Sequence, residues 1–124
     1  MLISGSKITT KDNSGAVFAQ CIQVTKAKKS KKPGIIGDFI KVTIKKTKSK
    51  FKLKKSGESL CNLVIIQTKK SLRRLDGGAL RFNLNSGVTI NEKKQPLFKR
   101  VTTVVPFELK KSCGEVLNLA KSVI

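Results

Sequence analysis

The chain has no histidine, tryptophan or tyrosine, three cysteines, three prolines and only seven acidic residues among 124. Each scarcity removes a class of function. Without histidine, the side chain that most often serves as general base and metal ligand is missing. Cys21, Cys61 and Cys113 are odd in number and contain no Cys-x-x-Cys pair. Neither a disulfide framework nor a zinc ligand cluster is therefore expected, and no metal or cofactor. Cys21 and Cys61 fall inside apolar, strand-like segments and read as small buried hydrophobes. A glycine-rich phosphate loop and paired carboxylates are also missing, so the usual acid, base and nucleophile have no candidates. An enzyme with a small-molecule substrate is not expected. No apolar run approaches the roughly 18 residues that span a bilayer, so no membrane partner is expected either. The first residues, Met1-Leu2-Ile3-Ser4, carry neither a secretory apolar region nor a basic amphipathic presequence.

What remains is positive charge: 27 Lys+Arg against 7 Asp+Glu, a formal net charge of +20. Like charges at that density repel one another, and a standing polyanion relieves the repulsion. Nucleic acid is the expected partner. Only Arg73, Arg74, Arg81 and Arg100 are arginines. Lysine neutralises phosphate as a point charge, whereas the arginine fork reads base edges, so backbone and shape recognition is favoured over sequence readout. Six phenylalanines and no other aromatics supply few platforms for stacking single-stranded bases.

Patterning places these charges on a β-rich chain of one domain, residues 1–124. Lys7 to Thr10 reads as a short strand, ending at the turn Asp12-Asn13-Ser14-Gly15. Val17 to Thr25 reads as a second. The run Lys26 to Gly34 has five lysines and a Pro-Gly bend, and is read as a loop that orders on phosphate. From Gly37 to Lys48, Ile40, Val42 and Ile44 alternate with Lys41, Thr43 and Lys45, the signature of a half-buried strand. The alternation continues from Lys46 to Lys55 with little apolar content. It predicts a basic β-ribbon over about 40–60 that turns near Ser49-Lys50. Leu63-Val64-Ile65-Ile66 is an uninterrupted apolar run, expected as a strand buried on both faces. Its exit loop holds Lys69, Lys70, Arg73 and Arg74 and closes on Asp76-Gly77-Gly78. Strand-like pieces are then expected around Arg81-Phe82, at Val88 to Asn91 and at Val101 to Val105. Pro106 suits a helix start, and short helical turns are expected over about 106–121, broken near Gly114 and docked on the core.

Asp12-Asn13-Ser14-Gly15-Ala16, Cys21-Ile22, Gly37-Asp38, Thr68-Lys69-Lys70, Arg73-Arg74, Asp76-Gly77, Arg81-Phe82 and Asn91 fall in the order and near-spacing of one family. By these residues the sequence resembles ribosomal protein fourteen of the large subunit, a family of the universal set. The similarity runs from Ile3 to Ile124, with Leu63 to Asn91 its most specific segment. It implies a mainly β protein: a small closed five-stranded barrel with a projecting ribbon and short C-terminal helices. It also implies large-subunit rRNA as ligand and a place on the subunit-facing side. Implied partners are neighbouring large-subunit proteins three and nineteen, small-subunit rRNA through intersubunit bridges, and ribosome silencing factors. Three departures stand out. Phe98 to Val104 keeps only Arg100 and an apolar position of the family's Gly-Thr-Arg motif. Lys26 and Ala27 replace paired glycines, and Cys113 or Gly114 replaces an aromatic.

The expected function is accordingly structural, with the chain neutralising phosphate where rRNA helices converge. Lys28, Lys29, Lys31 and Lys32 would clamp one backbone stretch. Lys45, Lys46, Lys48, Lys50, Lys52, Lys54 and Lys55 would follow a groove. Lys69, Lys70, Arg73 and Arg74 would anchor the barrel, with Arg81 and Arg100 serving contacts that need a planar donor. A free-standing RNA chaperone on a barrel scaffold is the alternative; it calls for aromatics gathered on one face. The lysine bias and divergence point to an organellar, mitochondrial ribosome, with plastid ribosomes and the bacterial cytoplasm as alternatives.

Overall fold

The computed structural model describes residues 2–25, 33–48 and 60–124. Its strands are β1 (Lys7–Thr10), β2 (Ala16–Thr25), β3 (Phe39–Thr47), β4 (Leu60–Gln67), β5 (Leu72–Arg73), β6 (Ala79–Leu80), β7 (Ser86–Ile90), β8 (Val101–Val105) and β9 (Ala120–Val123). A 3-10 turn (Phe107–Leu109) leads into the helix α1 (Lys110–Leu119) between β8 and β9. Five strands close a barrel in the order β1-β2-β3-β4-β7. All neighbours are antiparallel except at the seam, where β1 and β7 run parallel through Thr9 opposite Ser86 and Thr10 opposite Gly87. The main architectural expectation, a mainly β chain with a closed five-stranded barrel and a short helical C-terminal segment, is met.

The reason for the unbroken apolar run in β4 lies in what covers its two faces. Leu63 and Ile65 join Leu2, Ile8, Ala19, Cys21, Ile40 and Val42 in one core cluster. Val64 and Ile66 point the other way, into a second cluster with Val88, Ile90, Val101, Val105, Leu109, Cys113 and Val116. Successive strand residues face opposite sides, so a strand with core on both sides must be apolar throughout. The C-terminal segment is thus the second layer over the β4–β7 wall. Its docking point is Gly37, at φ +90°, where a Cβ would come within 2.7 Å of the Ser112 hydroxyl on α1.

In β2, Ala19 and Cys21 are buried and Gln20 and Ile22 exposed, as alternation requires. A register shift between Cys21 and Gln23 then changes the parity, so that Val24 packs against the Cys21 cluster. The bulge explains the imperfect alternation.

Several expectations need correction. Arg81 and Phe82 are not in a strand: the hairpin partner of β5 is Ala79–Leu80, and Phe82 N–H instead donates to Thr68 O at 3.2 Å. Within the ribbon expected over 40–60, the described part up to Ile44 is barrel wall, with Ile40, Val42 and Ile44 buried. Only Lys45 to Lys48 run on exposed, and residues 49–59 lie outside the described ones. The helical segment expected over 106–121 stops at Leu119. Ala120–Val123 pairs parallel to β8, with Val101 opposite Ala120 and Val105 opposite Val123. Four residues with two polar side chains carry too little periodicity to announce a strand; packing beside β8 makes it one. The break expected near Gly114 falls at Cys113, whose backbone is extended (φ −152°, ψ 77°).

Candidate nucleic-acid interface

The exit loop of β4 is built by satisfying the polar groups at the end of a buried strand. Gln67 is buried, and its amide donates to Thr103 Oγ1 (3.0 Å) and Val104 O (2.9 Å) while its carbonyl accepts from Ser86 Oγ (2.9 Å). Thr68, also buried, donates its hydroxyl to Lys70 O. Lys69 N–H donates to Asn85 Oδ1 at 2.9 Å, and Arg81 Nε donates to Lys69 O at 3.1 Å. The loop is therefore stitched at three successive residues, with Lys69, Lys70, Arg73 and Arg81 on its exposed side. Lys70 and Arg73 border an open groove of about 340 Å³ against Ile35 and Ile36.

Beyond β5 the chain turns at Asp76-Gly77-Gly78. Gly77 has φ +87°, which a glycine adopts without a Cβ clash. Asp76 Oδ1 accepts from Gly78 N–H at 2.9 Å, and Arg74 N–H donates to Gly78 O at 2.8 Å. The Arg74 side chain turns inward along the surface. Its Nε donates to Glu108 Oε1 (2.7 Å) and its Nη2 to Glu108 Oε2 (3.1 Å) and to Ile124 O (2.7 Å). This bidentate contact holds the Glu108 carboxyl below its ordinary range and raises the guanidinium further above neutrality. The charge of Arg74, a loop cation named from sequence, is thus balanced within the chain by Glu108.

A second basic area lies where β1, β2 and β3 meet. Lys48 N–H donates to Gly15 O at 2.7 Å, bringing Lys48 beside the Asp12–Gly15 turn. Lys46 pairs with Phe18 across β2–β3, and Lys7 Nζ sits 3.9 Å from the Phe18 ring centroid. Lys11 and Lys48 border an open groove of about 580 Å³ with Thr9, Asn13 and Thr102. The turn itself is fastened by Asp12. Oδ1 accepts from Ser14 N–H and Oγ, and Oδ2 accepts from Thr89 N–H (2.8 Å) and the Thr89 hydroxyl. Arg100, exposed, precedes the residue of β8 that bridges to Asp12.

The fold thus gathers Lys69, Lys70, Arg73 and Arg81 in one area and Lys45, Lys46 and Lys48 in another. Lys28, Lys29, Lys31, Lys32, Lys50, Lys52, Lys54 and Lys55 lie outside the described residues. Sequence reasoning passed over Lys7 and Lys11, single cations in a short first strand and its turn; the pairing of β1 with β2 brings them to the second area. Among the described residues every lysine and arginine except Lys11 and Arg74 is exposed. No helix of the described residues is long and apolar enough to cross a membrane.

A small closed barrel whose described cations are nearly all exposed, on anchored loops and strand ends, defines a class, the basic β-barrel proteins. The chain belongs to the ribosomal protein L14p/L23e family, whose family model matches residues 1–124. It is a protein of the large ribosomal subunit, where it is associated with rRNA and other ribosomal proteins, in a family that is structural rather than enzymatic.

Proposed function

We propose that the chain binds large-subunit rRNA by phosphate neutralisation near the subunit interface, and that it contributes to intersubunit bridges. The observation that carries this reading is the outward display of nearly all described cations while the carboxylates nearest the basic loops are engaged internally. Asp12 holds a turn, Asp76 a hairpin and Glu108 an arginine. Anchored backbone beneath Lys69 and Arg73 keeps the cations in place before contact, which lowers the ordering cost of binding. The lysine-rich surface suits backbone contacts, and the fork of Arg81, with Nε already bound to Lys69 O, suits a planar contact at its outer nitrogens. The lysines of 28–32 and 50–55 belong to the same reading, as clamp and groove follower. So do contacts to neighbouring large-subunit proteins three and nineteen and docking of a silencing factor. A mitochondrial ribosome is the proposed setting, on the lysine bias and the departures around Arg100 and Cys113; mapping the coding gene to a free-living bacterial genome would refute that part.

The test is the salt dependence of rRNA binding. Each phosphate contact contributes about one to the slope of log K against log salt. Lys69→Ala combined with Arg73→Ala is expected to lower the slope by about two while leaving thermal stability near wild type, because both side chains are exposed. An unchanged slope sinks the assignment of these residues.

A further inference from the structure

Among the described residues, three exposed apolar side chains share one depression. Leu75 is fully exposed at the tip of the β5–β6 hairpin (relative exposure 110 %), and Phe107 (56 %) and Ile124 (46 %) face it from the C-terminal segment. They border an open groove of about 530 Å³. Its rim carries Arg73, Lys110 and Lys111. Of the two acids on the same rim, Glu108 is paired with Arg74, and Asp76, which accepts from the Gly78 backbone, is outnumbered by the other three cations. The groove therefore combines an apolar lining with a positive edge.

RNA matches only half of that combination. Phosphates suit the three cations but leave Leu75 and Ile124 wet. The Phe107 ring, the one stacking platform in the groove, has the Lys110 ammonium 5.6 Å from its centroid. A second copy of this chain brings another +20 of charge and is repelled. A peptide segment with apolar residues between carboxylates satisfies both the lining and the rim. We infer that the Leu75–Phe107–Ile124 groove docks a neighbouring protein of the large subunit through an apolar segment flanked by acidic residues. The inference rests on the ribosomal reading and adds to it the surface and the chemistry of one protein contact.

A photo-cross-linker placed in the groove tests it. Leu75→Cys can be labelled selectively with a benzophenone maleimide, because Cys21 and Cys113 are buried and burial suppresses the Cys61 thiolate. Labelled chain is incorporated into large subunits, which are isolated by sedimentation after a salt wash, irradiated and analysed by mass spectrometry. The expected product is a cross-link to another protein, at a peptide with Asp or Glu beside apolar residues. Adding Lys110→Glu and Lys111→Glu is expected to lower its yield about tenfold. Lys93→Cys, labelled in the same way at an exposed position outside the groove's lining, is expected not to give that product. A cross-link from position 75 to rRNA or to a second copy, or none in subunits that contain the labelled chain, overturns the inference. Failure of the unaltered chain to co-sediment with large subunits overturns the ribosomal reading, and the inference with it.

Discussion

Asp12 illustrates how a turn residue visible in sequence acquires a second task in the fold. As the first residue of Asp-Asn-Ser-Gly it accepts from Ser14 two residues on, ordinary turn chemistry. Its other oxygen reaches Thr89, 77 residues away, and satisfies both the backbone N–H and the hydroxyl of a fully buried residue. Asp12→Ala strands those donors without solvent, and is expected to lower unfolding free energy by about 1–3 kcal/mol, measured by urea titration. A loss below a few tenths of that would show that Thr89 finds another acceptor. Cys61 makes a separate test. Burial, and secondarily the negative charge of Asp12, push its thiol up to about 12. At pH 8 the thiolate is scarce, so iodoacetamide is expected to leave Cys61 unmodified in the folded protein and alkylate it rapidly in guanidinium. Fast modification of the native protein would contradict the packing around β4.

Among the elements, the β5–β6 hairpin and the C-terminal segment depend on each other. The hairpin has two residues per strand and cannot stand alone. Arg74 ties it to Glu108 on the 3-10 turn and to the Ile124 carbonyl. The Glu108 carboxyl has its folded value held below the unfolded one, chiefly by the hydrogen bond from Arg74. The stabilisation is therefore fully present above the ordinary glutamate range near 4.3 and disappears as pH falls through the lowered folded value. Thermal melts are expected to show wild type above Glu108→Gln by a constant margin from about pH 5 to 8, the two converging in more acidic solution. A margin that grew on acidification would rule out this linkage. The sequence discloses a basic loop followed by a turn, and separately a helix start with an acid in its first turn. It does not disclose that the two meet, because Arg74 and Glu108 are 34 positions apart.

Across the whole molecule, the formal net charge is +20, and the described cations lie outside a core made of two apolar clusters. With rRNA absent, the folded chain carries its self-repulsion in compact form. Salt screens such repulsion over a Debye length that shrinks from about 14 Å at 0.05 M to about 4.5 Å at 0.5 M. The melting temperature of the free protein is expected to rise by several degrees over that range, followed by circular dichroism. A fall would mean that attractive ion pairs, rather than repulsion, dominate its surface.

Several features are legible in the sequence alone, because they are local. The strand identity of Leu63–Ile66 follows from an apolar run too short for a helix. The turns at Asp12–Gly15 and Asp76–Gly78 follow from side chains that bond their own backbone. The polyanion partner follows from charge alone. Barrel closure could be expected only through family resemblance, since the parallel β1–β7 seam joins segments more than seventy residues apart. The strand character of Ala120–Val123, the internal engagement of Arg74 and the convergence of Lys7 with Lys46 were decided by tertiary packing. In each case the deciding partner is distant in sequence, and no local preference of the residues involved distinguishes it from other positions.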